Sequence, residues 1–462
     1  NTNELSEIKG NQVTVIATKG NIENIGGKIK GIESVVLSAE NGDIINSSSK
    51  SQSKEYYGSR NNTEHESILS VGSIESEGTT YIEGKNYISE AGIVTGKNTI
   101  IDAKENITIG SITLTGQDKS GISDDNYMTY NSTRKVGSEV SGTDSVILNA
   151  GNNINVKGSM VASDGVVQMT AENINIVNEK ESVKRDKKST DDGFMSTHSV
   201  EEKSYQEGAV GSTIVGNNVI LDAKNDINVK ASNVIALKDQ ENMGGNIIAT
   251  AGNNINILAD TLDNSYSRKE KSSGFSTNFS ADGGGLTAGV SYNKNSLEQT
   301  SNGTTVAVST LMSEGSTLLD AGNKIRTEAM QANIGEDLII KGKNGVELLD
   351  AKETYEDKTK QKSSSIGITA SIGSTVTSFV SSADDVLGNN GKYGFDNKSQ
   401  LINTYGDGLG LYRDTVKAGA DLSQVVVDGM KGTIGNISKP SDLANYGISA
   451  NVSLNISKSS YE

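Results

Sequence analysis

The sequence predicts an all-β chain: a right-handed parallel β-helix, or β-solenoid, with hairpin inserts and a short helical segment near the C-terminus. Three observations predict it. One pattern recurs along most of the chain, its aliphatic residues keep a fixed parity, and neighbouring copies stand 21 or 22 residues apart. A strand–corner–strand unit repeated at that interval is the coil length of a stacked solenoid.

The pattern is plainest in SVILNAGNNINV from Ser145, NVILDAKNDINV from Asn218 and NIIATAGNNINI from Asn246. Weaker copies begin at Asn98 and Ser316, and Gly342 takes the place of the central Ala in DLIIKGKNGVEL. Side chains alternate faces along a strand. Val146, Leu148, Ala150, Ile154 and Val156 therefore share one face, as do Val219, Leu221, Ala223, Ile227 and Val229. Ile247, Ala251, Ile255 and Ile257 repeat the offsets. These residues are the expected core, with Asp222, Lys224 and Asn228 turned to water. The Asn- and Gly-rich step between the two runs is expected to turn through the left-handed region that those residues tolerate. Ten coils rising about 4.8 Å each would stack to roughly 50 Å.

Composition agrees with an ordered, thinly aliphatic β structure. Hydrophobic residues are 34% of the 462, Gly numbers 51, and Pro440 is the single proline. A disordered chain would carry more Pro and fewer Val and Ile. The 42 basic and 58 acidic residues leave a net charge of −16, which repels phosphate backbones and argues against nucleic acid as a partner. With no Cys, disulfides, thiol chemistry and Cys-based zinc sites are excluded. No apolar run reaches the ~18 residues of a spanning helix. Asn1–Gly10 has no signal-peptide character, and a repeat is already running at Val13, so an internal piece of a longer chain is expected.

The longer intervals between copies place inserts near 47–70, 120–140, 178–212 and 262–305. Several pair a charged cluster with a Ser/Gly-rich alternating run, as in GFSTNFSADGGGLTAGVSYNKN from Gly274, and such runs form hairpins. The hairpins either extend a sheet of the coil stack or project from it. Their small apolar faces suit packing on the coils or a strand meeting lipid. The expected division is a β-helix over 1–351, a Ser/Gly-rich alternating insert over 352–398, a helical segment over 399–436 and a terminal hairpin or strand over 437–462. Tyr412, Val416, Leu422, Val425, Val426 and Met430 carry the helical spacing.

Reactive constellations are scarce. His65 and His198 are the only histidines, and both lie in polar inserts. No nucleophile elbow is present. The run Gly92 to Asn98 has one residue too few between its glycines for a phosphate loop, and Asn98 stands where a Ser or Thr should hold magnesium. Gly406-Asp-Gly-Leu-Gly410 lacks dinucleotide spacing. Asp191-Asp192-Gly193 and Asp384-Asp385 lack the pattern of a calcium loop. Asp102, Asp222, Asp320 and Asp350 recur because the repeat does. No catalytic residue, metal site or cofactor is therefore expected.

The coil SVILNAGNNINV and its copies resemble the haemagglutinin repeat of filamentous-haemagglutinin-type exoproteins, which include contact-dependent growth-inhibition effectors and large adhesins. The insert from Lys271, KSSGFSTNFSADGGGLTAGVSYNKNSLEQTSNGTTVAVSTL, is similar to the hairpin and return strand between coils in their distal repeat region. The resemblance covers Gln12 to Ala351, with a looser echo to the end. It implies a β-helical protein secreted to the surface of a Gram-negative cell through an outer-membrane two-partner transporter. Its implied partners are the target-cell surface or outer membrane and the rest of its own exoprotein chain. Asn-Pro secretion motifs and a Val-Glu-Asn-Asn boundary are absent, so any toxin activity is expected outside this segment. A shaft serving adhesion or toxin delivery is the leading expectation. A polysaccharide-acting β-helix enzyme and an autotransporter passenger are the alternatives.

Overall fold

The computed structural model describes residues 6–282, 285–373 and 449–461. The chain divides into two compact units, one of Asn1–Lys187, Lys203–Tyr266 and Ser301–Glu356, the other of Lys188–Glu202, Ser267–Thr300 and Asp357–Glu462.

The first unit contains a parallel β-helix with three faces, here called a, b and c in chain order. One coil is Met160–Ser163 on face a, Val166–Ala171 on face b and Asn173–Val177 on face c. The next is Thr213–Gly216, Asn218–Ala223 and Ile227–Lys230. Each segment pairs in parallel with its counterpart above, as Val167↔Val219 and Ile174↔Ile227 do. On face b, nine such pairings link ten coils, from Gln12↔Ser34 to Ala321↔Gly342. The sheet is parallel because every strand crosses the same face in the same direction, and it is buried on one side only.

Parity decides what fills the interior. Val146, Leu148, Ile154, Val156, Val219, Leu221, Ala223, Ile227, Val229, Ile247, Ala251, Ile255 and Ile257 are all buried in one continuous cluster. Ala150 is partly buried and packs against it. Tyr87 replaces an aliphatic residue on face c, and burial pushes its hydroxyl up to about 12.

The corner between faces b and c corrects one expectation. Its Asn and Gly residues are not left-handed, Gly345 excepted. Gly is needed there because coils approach closely: a Cβ on Gly151 would lie 2.0 Å from the Lys104 carbonyl oxygen, and one on Gly252 would lie 2.1 Å from that of Lys224. Asn is there for its side chain. Asn106 donates to Asn86 at 3.0 Å, Asn153 to Asn106 at 2.9 Å and Asn173 to Asn153 at 3.0 Å. The column extends downward through Asp43 to Asn21, and upward through Asp226, Asn254 and Asn323 to Asn344. One amide or carboxylate per coil thus runs through all ten, joined side chain to side chain as in cross-β ladders except where the Asp43 and Asp226 backbone N–H groups donate to Asn21 and Asn173.

Left-handed residues lie at the corner between faces c and a instead. Gly26, Ala91, Gly158, Ala231 and Ala329 have φ of 66°, 53°, 55°, 43° and 48°. They occupy that corner in every odd coil. In the even coils the chain leaves the same corner as a hairpin: Ser49–Tyr56 with Asn62–Ser70, Ile112–Ser123 with Asn126–Val136, Glu179–Gly193 with Ser196–Val210, and Asp260–Asp282 with Gly285–Ala307. Thr354–Gly373 follows the tenth coil and pairs antiparallel with Ser449–Tyr461. The repeating module is therefore two coils and one hairpin.

The hairpin strands form a sheet of their own in chain order. Spacing makes this possible. Two coils climb about 9.6 Å and the two strands of a hairpin occupy the same distance, so successive hairpins meet edge to edge without strain. The second insert begins at Ile112, earlier than the position near 120 expected from the repeat intervals. No helix occurs among the described residues, and the one expected over 399–436 lies outside them.

Candidate functional site

The corner between faces c and a, with the hairpins it releases, is where the chain departs from a plain solenoid. Ser138, Ser159, Ser212, Ser232 and Ser309 occupy it in five successive coils, all buried. The backbone N–H of Ser138 donates to Ser159 Oγ at 3.0 Å, that of Ser212 to Ser232 Oγ at 3.1 Å, and that of Ser232 to Ser309 Oγ at 3.3 Å. The hydroxyls close the hairpin bases. Ser138 donates to the Gly110 carbonyl at 2.6 Å, Ser212 to Val177 at 2.7 Å and Ser309 to Leu258 at 2.7 Å. In each case the residue after a hairpin bonds the residue before it. The parity of aliphatic residues missed this column. Its signal is a Ser after Gly, Ala or Val just ahead of each face a segment.

Charges clamp the same bases. Lys135 meets Glu179 at 2.8 Å, Lys180 meets Glu207 at 2.9 Å and Lys230 meets Asp260 at 2.8 Å. Burial opposes the Asp260 carboxylate, but hydrogen bonds from Lys230 and Asn178 outweigh it and hold the pKa below the ordinary Asp value. The Asp263 backbone N–H, more than Lys180, holds Glu207 below its ordinary value. Farther out, His65 Nε2 lies 2.8 Å from Asp118, tying the first hairpin to the second. Tyr56 and Tyr57 are exposed at the first tip, and Ile122 at the second.

Within the second unit, Arg268 is largely buried between Glu202, at 2.7 Å, and Glu270, at 3.0 Å, with His198 3.9 Å from Glu270. Phe275 and Tyr292 pack with ring centroids 5.2 Å apart, beside a Ser276–Ser291 hydrogen bond of 2.6 Å. Phe194 is exposed at the tip of the third hairpin.

Several groups with chemical potential are engaged in structure. The Gly92–Asn98 run lies in coil strands, with Ile93–Thr95 on face a and Asn98 beginning face b. Asp102 accepts from Asn149 at 2.7 Å. With burial the larger cause, Asp102 also helps push the Tyr81 hydroxyl up to about 12. Asp320 is 3.9 Å from Lys341, and Asp191–Gly193 ends a hairpin strand. Among the described residues, no three His, Asp or Glu side chains gather as a metal site. Asp384, Asp385 and Gly406–Gly410 lie outside the described residues.

The hemagglutinin repeat family matches residues 122–193, 193–323 and 290–436, more than half of the sequence. The chain belongs to this family. The first matched stretch runs from the tip of the second hairpin to the tip of the third, so one hemagglutinin repeat corresponds to a return strand, two coils and an outgoing strand. The tRNA nuclease CdiA-2 of Burkholderia pseudomallei is 25% identical over 327 residues, which are 66% of this chain and 10% of that protein. The 16S rRNA endonuclease CdiA of Enterobacter cloacae is 28% identical over 260 residues, 52% of this chain and 7% of that protein. This chain thus spans a tenth or less of either relative. No solved structure matches it.

Proposed function

We propose that this hemagglutinin repeat chain is a non-enzymatic shaft and delivery segment of a large exoprotein, secreted to the surface of a Gram-negative cell. The observation that carries the reading is the two-coil module. It grows a buried column and a flanking antiparallel sheet in step, a way to build length and lateral surface together. The Ser and Asn columns and the Asp260 clamp hold one coil or hairpin to the next. The nuclease activities named for the two relatives belong to those proteins, and any toxin activity here is assigned outside this segment. An outer-membrane transporter and the envelope of a target cell are the partners this reading requires.

The test uses the complete exoprotein. Residues 139–212 and 213–309 are whole modules, each running from the start of face a in one coil to the Ser that precedes face a two coils on. Excising both keeps every coil in register. Export and surface display are expected to persist while transfer of a reporter effector to target cells falls at least tenfold. Undiminished transfer would sink the reading, as would release of reducing ends when the purified chain is incubated with a glycan panel.

A further inference from the structure

Face b lies opposite the corner that releases every hairpin, and its outward side is unlike that of an ordinary solvated strand. In the middle outward position Ile100 pairs with Ile147 in the next coil, Ile220 with Ile248, and Leu318 with Ile339. From Val36 upward, this column is Val, Tyr, Ile or Leu in every coil except that of Gln168. Ile248 and Ile339 are 39% and 46% exposed, and the others are half-buried by the neighbours above and below. An apolar stripe of this length, interrupted once at Gln168, is uncommon on a monomer.

Two polar rows flank the stripe. Asn98, Ser145, Asn218, Asn246 and Ser316 lie two residues before it. Glu83, Asp102, Asp222 and Asp320 lie two residues after it in four coils, with Ser38, Asn149, Thr170, Thr250 and Lys341 there in the others. We infer that face b is the contact surface for a second copy of this chain, the two coil stacks lying side by side and parallel. A twofold axis along the stack lays Asp102 and Asp222 over the second copy's Asn98 and Asn218 amides, which can donate to them. An axis across the stack, with the Val36 coil against the Leu318 coil, would instead set Asp102 against Asp222. Nine steps of about 4.8 Å by roughly 16 Å of strand give about 700 Å² per copy, close to the ~800 Å² per partner of a stable interface. The parallel arrangement is isologous, so it closes at two copies.

The charge of −16 on each copy opposes association, and salt screens that repulsion. Sedimentation of the full chain at about 50 µM should therefore show more dimer in ~0.5 M NaCl than at ~0.05 M. The combined substitutions Ile100→Lys, Ile147→Lys and Ile220→Lys point outward and should raise the dimer Kd at least tenfold without altering the circular dichroism. Glu23→Lys, Thr108→Lys and Glu347→Lys place three lysines on face c and should leave the dimer intact. Because the chain has no Cys, Val36→Cys and Leu318→Cys report orientation. Each should crosslink to itself under oxidation in a parallel dimer, whereas an antiparallel pair would crosslink only when the two variants are mixed. A wild-type monomer at high salt overturns the inference, as does equal loss of dimer from the face c lysines. A monomer that binds a basic amphipathic peptide through face b would overturn it too, reassigning the surface to a partner of that kind.

Discussion

The Ser309 hydroxyl donates to the Leu258 carbonyl at 2.7 Å, closing the base of the fourth hairpin from one end to the other. Ser309 is buried and the Leu258 carbonyl part-buried, so removing the donor leaves that carbonyl with the Ala231 N–H alone. Ser309→Ala should cost about 1–2 kcal/mol by urea denaturation. Ser159 lies at an odd corner and closes no hairpin; its hydroxyl returns to the Lys157 carbonyl at 2.9 Å. Ser309→Ala should therefore raise hydrogen exchange in the fourth hairpin's first strands, and Ser159→Ala should not.

The Asn column predicts a graded effect along the stack. Asn153 both donates and accepts, whereas Asn344 donates to Asn323 at the end of the column. Asn153→Ala breaks two rungs and should destabilise by about 2 kcal/mol, and Asn344→Ala by about half that. Equal midpoints in a denaturant titration would show that the rungs carry no energy.

Part of this design is legible in the sequence and part is not. Burial is, because Val219, Leu221 and Ile227 must alternate with polar residues whatever the details of the corner. The module is harder to see. The third coil puts Gly84 where every coil but the tenth has Ala, so the interval from Ala39 to Ala103 hides a winding and the alternation of hairpin and left-handed corner with it. The roles of Asn and Gly at the other corner are hidden for a different reason. Composition identifies residues that permit a turn, but only stacking shows that Gly151 answers to the Lys104 carbonyl above or below it, and Asn153 to Asn106. Serine signals little in so Ser-rich a chain until its neighbours in space are known.

Gly151 and Gly20 separate close approach from simple flexibility. A methyl at Gly151 would meet the Lys104 carbonyl oxygen at 2.0 Å, while nothing lies within 4 Å at Gly20. Gly151→Ala should destabilise by about 2 kcal/mol or more, with Gly20→Ala within about 0.5 kcal/mol of wild type. Thermal unfolding of the two variants side by side is the measurement.

Asp260 predicts an acid dependence whose sign is fixed. Its folded pKa lies below the ordinary Asp value of 3.8, so its contribution is present above that value and is lost as pH falls through the folded pKa. Asp260→Asn should cost about 1–2 kcal/mol at neutral pH, and the gap from wild type should close as pH falls through the folded pKa. Because Glu75 and Glu207 are lowered as well, wild type itself will weaken in acid. The difference between the two proteins, followed by urea midpoints across pH, isolates the Asp260 share.

Shortening the fourth hairpin tests whether the coils set their own register. Lys269 meets Glu298 at 3.1 Å and Ser276 meets Ser291 at 2.6 Å, so positions opposite each other can be removed in pairs. Replacing residues 273–294 with Asn-Gly keeps Arg268, Glu270 and the Asp260 clamp, and supplies a two-residue reversal suited to antiparallel strands. The coil below ends face c at Leu258 and the coil above begins face a at Thr310, which pairs with Asn233. None of those bonds involves the removed residues, and the shorter loop loses less entropy on closing. Cooperative unfolding of the coil stack should survive, with its midpoint shifted by about 1 kcal/mol at most. Loss of cooperativity would mean that the hairpins organise the solenoid and not the reverse.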